Sequence, residues 1–300
     1  MKLQSFLRYR IEYAFVCLLR ISGRMWSAPM LGMLFYKVLP FRSTVARTTI
    51  AMAFPEMSTE CKEHLLSEAY QHASKVLLLM LRIPSMVGNR SGRGAAISIA
   101  SHVDYTFTSA YLEDVQRGHG VILVSAHIGF WELCSFVHRL VPAAGYYEVY
   151  RELHNPLLNS MVKEYRALAG VSLIKDKHCI QQCIRVLQQG ALLGLVADQN
   201  AGDRGIEVSF LQRPSSFYPG MAVLHQRTGA PIWFTVVLPN RDKGTKHPFS
   251  LFMAPVAAFR EELSVSQILQ RYADVSSAFI LSAPEDYLWF HRRWKVPVSL

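Results

Sequence analysis

In the run Val121-Ile-Leu-Val-Ser-Ala-His127-Ile-Gly-Phe-Trp-Glu132, a histidine and a carboxylate stand five positions apart behind a short apolar stretch. An imidazole takes up a proton near neutral pH, and a carboxylate within reach fixes its tautomer and stabilises the imidazolium that forms. Such a pair suits activation of a hydroxyl. On one continuous helix, residues five apart point roughly 140° away from each other, so His127 and Glu132 meet only if the chain turns between them. Gly129 offers that turn: a buried strand ends, His127 sits in the loop, and a helix beginning near Gly129 brings Glu132 back toward the ring. The spacing alone fits equally well a core histidine beside a helix-start glutamate, favoured there by the helix dipole.

Ser125 and Cys134 flank the motif, and either one as a nucleophile would imply a covalent enzyme intermediate. Ser125 belongs to the apolar strand, Cys134 is expected to face away on the helix, and the G-x-S-x-G elbow of the hydrolases is absent. A general base acting on a bound hydroxyl is therefore preferred. Cys17, Cys61, Cys134, Cys179 and Cys183 are an odd set without regular spacing, which fits a reducing compartment. His178, Cys179 and Cys183 lack a second ligand cluster, so no metal is expected.

The elements that must hold these residues follow from the pattern. Phe54-Pro55-Glu56-Met57-Ser58 reads as a turn into a helix over Cys61 to Leu81, with Ser58 as its N-cap. After a polar break from Gly88 to Gly94, Ala96 to Ala100 reads as a strand and Tyr105 to Arg117 as a helix. Beyond the Val121 strand come a strand at Tyr146 to Tyr150, a helix at Pro156 to Ala169 and a strand at Val171 to Ile174. A helix at Cys179 to Gln189, closed by Gly190, precedes an apolar strand at Ala191 to Ala197. Ile206 to Phe210, Met221 to Thr228 and Ile232 to Leu238 continue the alternation. Strands and helices in succession predict an α/β fold, a layered sheet with helices on both faces. Polar residues just past strand ends gather at the ligand crevice of such sheets, and His127, Arg151 and Asp198 all stand in that position. Arg151 could hold a phosphate or carboxylate bidentately, or pair with Glu148 or Glu152 at the surface; Asp198 could instead cap the following turn.

Charge is concentrated at the N-terminus. From Met1 to Arg47 the cations Lys2, Arg8, Arg10, Arg20, Arg24, Lys37, Arg42 and Arg47 face Glu12 alone, interleaved with apolar residues from Phe6 to Tyr36. Arg20, Arg24, Pro29 and Lys37 interrupt any run long enough to span a bilayer, and a signal peptide fits poorly. Residues 1–45 are expected to lie on a membrane as one or two helices, apolar face down and cations toward anionic head groups. Residues 46–300 form the second unit. Nucleic acid is not expected, because the cations are mixed with long aliphatic residues and no binding motif accompanies them. Near the C-terminus, Arg292, Arg293 and Lys295 alternate with Trp289, Phe290 and Trp294, as an interfacial patch or a solvated helix with packed tryptophans would.

Taken in order, Phe54-Pro55-Glu56, His127 to Glu132, Tyr150-Arg151 with Asn155-Pro156, Arg166, Gly170, Gly190, Asp198-Gln199, Val208 to Phe210, Gly220, Thr228-Gly229-Ala230-Pro231 and the block from Pro284 to Lys295 span nearly the whole chain. Their order resembles the late acyltransferases of lipid A biosynthesis, within the wider histidine-four-residues-acid acyltransferase group. The resemblance implies a glycerolphosphate-acyltransferase-like layered mixed sheet. It also implies transfer of a fatty acyl chain, without a cofactor, from acyl carrier protein or coenzyme A to a hydroxyl of a membrane glycolipid. The expected place is the cytoplasmic face of the bacterial inner membrane. His127 would be the general base, Glu132 its orienting acid, Arg151 a positioning cation and Asp198 a second acid. Three positions depart from the family: Thr49 before the Phe-Pro turn and Phe130 inside the motif replace asparagine, and Gln212 replaces a glycine. Phe130 is expected to add bulk beside His127 and to alter the acceptor or acyl length. Other acceptors, such as a glycerophospholipid, an ornithine lipid or a mannosylated phosphoinositide, fit the same chemistry, as does an inactive lipid-binding homologue.

Overall fold

The computed structural model describes residues 3–22, 27–242 and 244–294. Four helices come first: α1 (Leu3–Ser22), α2 (Ala28–Lys37), α3 (Ser43–Ala53) and α4 (Thr59–Val87). The long α4 starts where the turn chemistry places it, with the Ser58 hydroxyl accepting the Cys61 N–H. Ala28 and Leu31 of α2 are buried against Leu78 of α4. Gly32 lets the two backbones approach, since a Cβ there would collide with the Cα of Gln71. Arg24, Met25 and Trp26 lie outside the described residues.

The expectation at Ala96 to Ala100 fails, because α5 is a helix over Arg93–Ala100. Its apolar residues bury one side, Ala95, Ala96, Ile99 and Ala100, at helical spacing; a short apolar run does not by itself separate strand from buried helix. After it come β1 (Val103–Asp104), α6 (Ser109–Gln116), β2 (Val121–Ser125), α7 (Leu133–His138), β3 (Tyr146–Tyr150), α8 (Pro156–Leu168), β4 (Ser172–Lys175), α9 (Ile180–Gln188) and β5 (Leu192–Val196). Then follow the hairpin β6 (Ile206–Phe210) and β7 (Arg213–Phe217), α10 (Gly220–Thr228), β8 (Ile232–Pro239), β9 (Phe249–Ala257) and α11 (Val265–Ser282).

Seven strands make one sheet in the order β1-β9-β8-β2-β5-β3-β4, with β8, β2, β5, β3 and β4 parallel and β9 antiparallel to β8. Strand β2 is buried along its whole length. Its Ile122 and Val124 join one core with α9, α10 and α11, while Val121 and Leu123 join the other with α5, α6 and α7. A central strand covered on both faces reads as a continuous apolar run rather than an alternating one, which is how Val121 to Ser125 reads. Among the described residues no helix is long and apolar enough to cross a membrane.

Candidate active site

Strands β2 and β5 are parallel neighbours with Ser125 opposite Val196. Two residues further along each strand, the register brings His127 to face Asp198. His127 Nδ1 lies 2.6 Å from Asp198 Oδ1, and the His127 backbone N–H donates to Oδ2 at 3.1 Å. With Nδ1 committed to the carboxylate, Nε2 is the nitrogen left to take a proton. Asp198 is fully buried and the His127 side chain retains 18% exposure. Burial pushes the Asp198 carboxyl up, but the charge of His127, its hydrogen bonds and His291 outweigh that and hold it well below the carboxylate range. Burial lowers His127 in turn; the charge and hydrogen bond of Asp198, helped by the charge of Glu132, outweigh this, and the imidazole is raised above its ordinary value.

Glu132 sits elsewhere. The loop after β2 turns as expected, yet its carboxylate is gripped by Arg166 of α8, whose NH2 donates to Oε1 at 2.9 Å and Nε to Oε2 at 3.3 Å. The hydrogen bond to Nδ1 expected from Glu132 is therefore made by Asp198, and Glu132 acts on His127 only through its charge. Glu148 of β3 completes the buried group: it lies 3.5 Å from Arg166 and accepts a short hydrogen bond from Ser135. Burial raises the Glu148 carboxyl, opposed by the Arg166 cation. A pocket of about 40 Å³ touches Glu132, Glu148, Arg166, Trp131 and Gly194. It has room for water and is far too small for a fatty chain.

Arg151 follows β3 at the same end of the sheet, 60% exposed, and donates Nε to Asp176 at 2.9 Å rather than pairing with Glu148 or Glu152. Ser125 is buried with its hydroxyl turned to the Ala126 carbonyl, and burial pushes the Cys134 thiol up to about 12. Neither is a ready nucleophile. Phe130 does not crowd His127: it is buried with its ring 4.6 Å from Phe249 and 5.2 Å from His72. The bulk beside the imidazole is Trp131, at 5.1 Å.

Residues 289–294 form neither a surface patch nor a helix. Trp289, Phe290, Arg293 and Trp294 are buried, and Lys295 lies outside the described residues. The Arg293 guanidinium lies 3.8 Å from the centre of the Phe217 ring and donates to the Ser216 carbonyl at 2.9 Å. The segment straps the site: Leu288 N–H donates to the His127 carbonyl at 2.9 Å, and Ile128 bridges Tyr287. His291 places a second imidazole 4.0 Å from Asp198 Oδ2, pushed down to about 4 by burial, against the pull of Asp198. Arg166, Asp286 and His291 all fall in the ordered blocks that carry the resemblance, but spacing gave no role for them. His72 carried no signal at all.

A partly buried imidazole paired with a buried carboxylate at the carboxyl ends of parallel strands, beside a hydroxyl and a thiol both turned inward, suits general-base chemistry of the transferase or hydrolase kind. The sequence decides between them. The family model for bacterial lipid A biosynthesis acyltransferases matches residues 5–296. The chain belongs to that family and is an enzyme that transfers acyl groups. It is 22% identical over 275 residues to the lipid A biosynthesis lauroyltransferase of Escherichia coli strain K12, covering 88% of this chain and 83% of that protein. The palmitoleoyltransferase of the same organism is also 22% identical, over 273 residues, with 88% and 82% covered. The lipid A biosynthesis acyltransferase of Shigella flexneri matches with the same figures.

Proposed function

We propose that this protein transfers a fatty acyl chain from a thioester, on acyl carrier protein or coenzyme A, to a hydroxyl of a lipid A precursor. It does so lying on the cytoplasmic face of the bacterial inner membrane. The observation that carries the chemistry is the His127 Nδ1 to Asp198 contact of 2.6 Å at the end of β2 and β5. Nε2 of His127 takes the proton of the acceptor hydroxyl, and the oxygen attacks the thioester carbonyl. The C–S bond breaks, and the leaving thiolate takes the proton back from the imidazolium. Asp198 keeps Nδ1 protonated throughout and offsets the imidazolium charge. No covalent enzyme intermediate is needed, which agrees with the inward-turned Ser125 and Cys134. Arg151, exposed at the same rim, is the cation offered to a phosphate of the acceptor or of the carrier's arm, exchanging Asp176 for it.

The exposed apolar side chains Leu7, Ile11, Phe15, Leu18 and Ile21 of α1, spaced four, four, three and three apart, support membrane attachment through the segment 1–45. The purified protein, given labelled acyl donor and a panel of acceptors, is expected to load a tetra- or penta-acylated lipid A precursor in preference to glycerophosphate, ornithine lipid or phosphoinositide mannoside. Loading of a glycerophosphate backbone alone would remove the lipid A reading, and loss of no activity in His127→Ala would remove the mechanism.

A further inference from the structure

Between α2 and α3 the chain turns outward through Val38-Leu39-Pro40-Phe41, and its large apolar side chains stand in water: Val38 is 65% exposed, Leu39 53% and Phe41 65%. The backbone beneath them is held. The N–H groups of Val38 and Leu39 both donate to the Leu34 carbonyl, at 2.9 and 3.0 Å, and the Phe41 carbonyl accepts from the Tyr70 hydroxyl of α4 at 2.7 Å. Arg42 closes the turn at φ +53°, a conformation that a residue with a side chain adopts only at a cost. A loop meant for water gains nothing from presenting apolar side chains on a fixed backbone, and a contiguous patch of this kind marks an interaction surface. Charge names the partner. From Ser27 to Pro55 the chain carries Lys37, Arg42 and Arg47 and no acid. Arg47 pairs with Glu63 of α4, while Lys37 and Arg42 stand at the two ends of the loop. Met30, Met33 and Leu34 extend the exposed apolar surface along α2, opposite the side that buries Ala28 and Leu31. Apolar side chains bordered by cations fit the interface of an anionic bilayer.

The same loop is joined to the active site. Arg42 Nη1 donates to the Phe290 carbonyl at 3.0 Å, and the ring of Tyr70, whose hydroxyl holds Phe41, lies 4.6 Å from the Phe290 ring. Phe290 belongs to the segment whose Leu288 N–H holds the His127 carbonyl, and the next residue, His291, lies 4.0 Å from Asp198. We propose that the loop Val38–Phe41 is a wedge that enters an anionic bilayer, separately from the apolar stripe of α1, and that its tie to Phe290 seats the mouth of the His127–Asp198 site on the lipid surface. The effect on turnover rests on the acyl-transfer reading above. A bilayer that takes up Val38, Leu39 and Phe41 lies against the opening where the His127 side chain keeps its exposure. An acceptor whose acyl chains stay in that bilayer then presents its hydroxyl to Nε2 without leaving the membrane.

Phe41→Trp places a reporter at the tip. When vesicles of equal parts phosphatidylglycerol and phosphatidylcholine are added, its emission, taken as the difference from the wild-type protein, is expected to shift to the blue and to be quenched by brominated acyl chains. An emission that neither shifts nor is quenched overturns the wedge. Replacing Val38, Leu39 and Phe41 together by Gln is expected to weaken binding to the same vesicles by at least about tenfold. With enough vesicle to bind all of this variant, turnover per bound enzyme is expected to fall severalfold, while turnover of the same acceptor dispersed in detergent stays near the wild-type value. Full turnover once bound overturns the seating of the site, and an equal loss in detergent assigns the loop to folding and overturns it too. Dimers of the wild-type protein that form without lipid and vanish in the variant would give the surface to a second copy, against the proposal. A wild-type enzyme that transfers no acyl group would instead undo the acyl-transfer reading, and the emission of Phe41→Trp would still decide the wedge.

Discussion

At the scale of single residues, the site gives its two acids, Glu132 of the motif and Asp198 past β5, different partners. Asp198 touches the imidazole, and Glu132 touches the guanidinium of Arg166, so their substitutions are expected to fail differently. His127→Ala removes the base and should lower turnover by about a hundred- to ten-thousand-fold with folding intact. Asp198→Asn keeps the shape but removes the anion that raises His127. Turnover should fall, and the acid limb of kcat against pH should move to lower pH, because an imidazole without its carboxylate gives up its proton more easily. An acid limb that stayed in place would show that Asp198 does not set the protonation of the base. Glu132→Gln instead leaves Arg166 buried with Glu148 alone, and breaking one side of a buried pair costs about 3–5 kcal/mol. Its main signature should be a drop in Tm by calorimetry rather than a displaced limb. The linked stability has a defined sign. The share from Asp198, whose value is lowered on folding, is lost as pH falls below the unfolded carboxylate range; the share from His127, which is raised, is lost as pH rises through its folded value.

At the scale of elements, what could be read in the sequence was what depends on local pattern. The run Val121 to Ser125, the N-cap at Ser58 and the polar residues past strand ends are local facts, and β2, α4 and the convergence of His127 with Asp198 followed from them. The identity of the hydrogen-bond partner was not local. It depends on the β2–β5 register, which sets two residues past Ser125 against two residues past Val196, and on Arg166 arriving from α8 to occupy Glu132. Phe130 was misplaced for the same reason, since a loop of seven residues, 126–132, does not reveal which side chain turns back to the core. The β6–β7 hairpin shows a departure with a physical cost. Its two-residue turn, Leu211-Gln212, has φ +49° and +61°, the twisted form that matches paired strands and that favours Asn-Gly. A side chain at positive φ costs about 1 kcal/mol, partly offset by the extra freedom of glycine in the unfolded chain. Gln212→Gly is expected to raise Tm by about 1–3 °C, and an unchanged or lowered Tm would mean the turn is not strained at that position.

At the scale of the whole molecule, the site and the apolar surface lie side by side. Asn155, in the loop that follows Arg151, caps α8 with its side-chain oxygen and donates its amide N–H groups to the Tyr9 carbonyl and to Glu12 of α1, each at 3.0 Å. Those bonds tie α1 to the rim of the site, and Leu153, Leu157 and Val196 carry exposed apolar surface on the rim itself. The pocket behind Glu132 being too small, an acyl chain is expected to lie along this exposed surface and to reach His127 from the bilayer side. Substituting Leu7, Ile11, Leu18 and Ile21 together by Gln leaves the faces of α1 and α2 that pack on α4 intact, because all four side chains are exposed. Each side chain of this kind gains about 1.5–3 kcal/mol on full burial, so the four substitutions should weaken sedimentation with anionic vesicles by at least about a hundredfold. Turnover of an acceptor presented in vesicles should fall with it, while turnover of the same acceptor dispersed in detergent should stay near the wild-type value. Equal losses in both presentations would place the stripe in the folding of the enzyme, and unchanged vesicle turnover would mean that the lipid reaches His127 without help from α1.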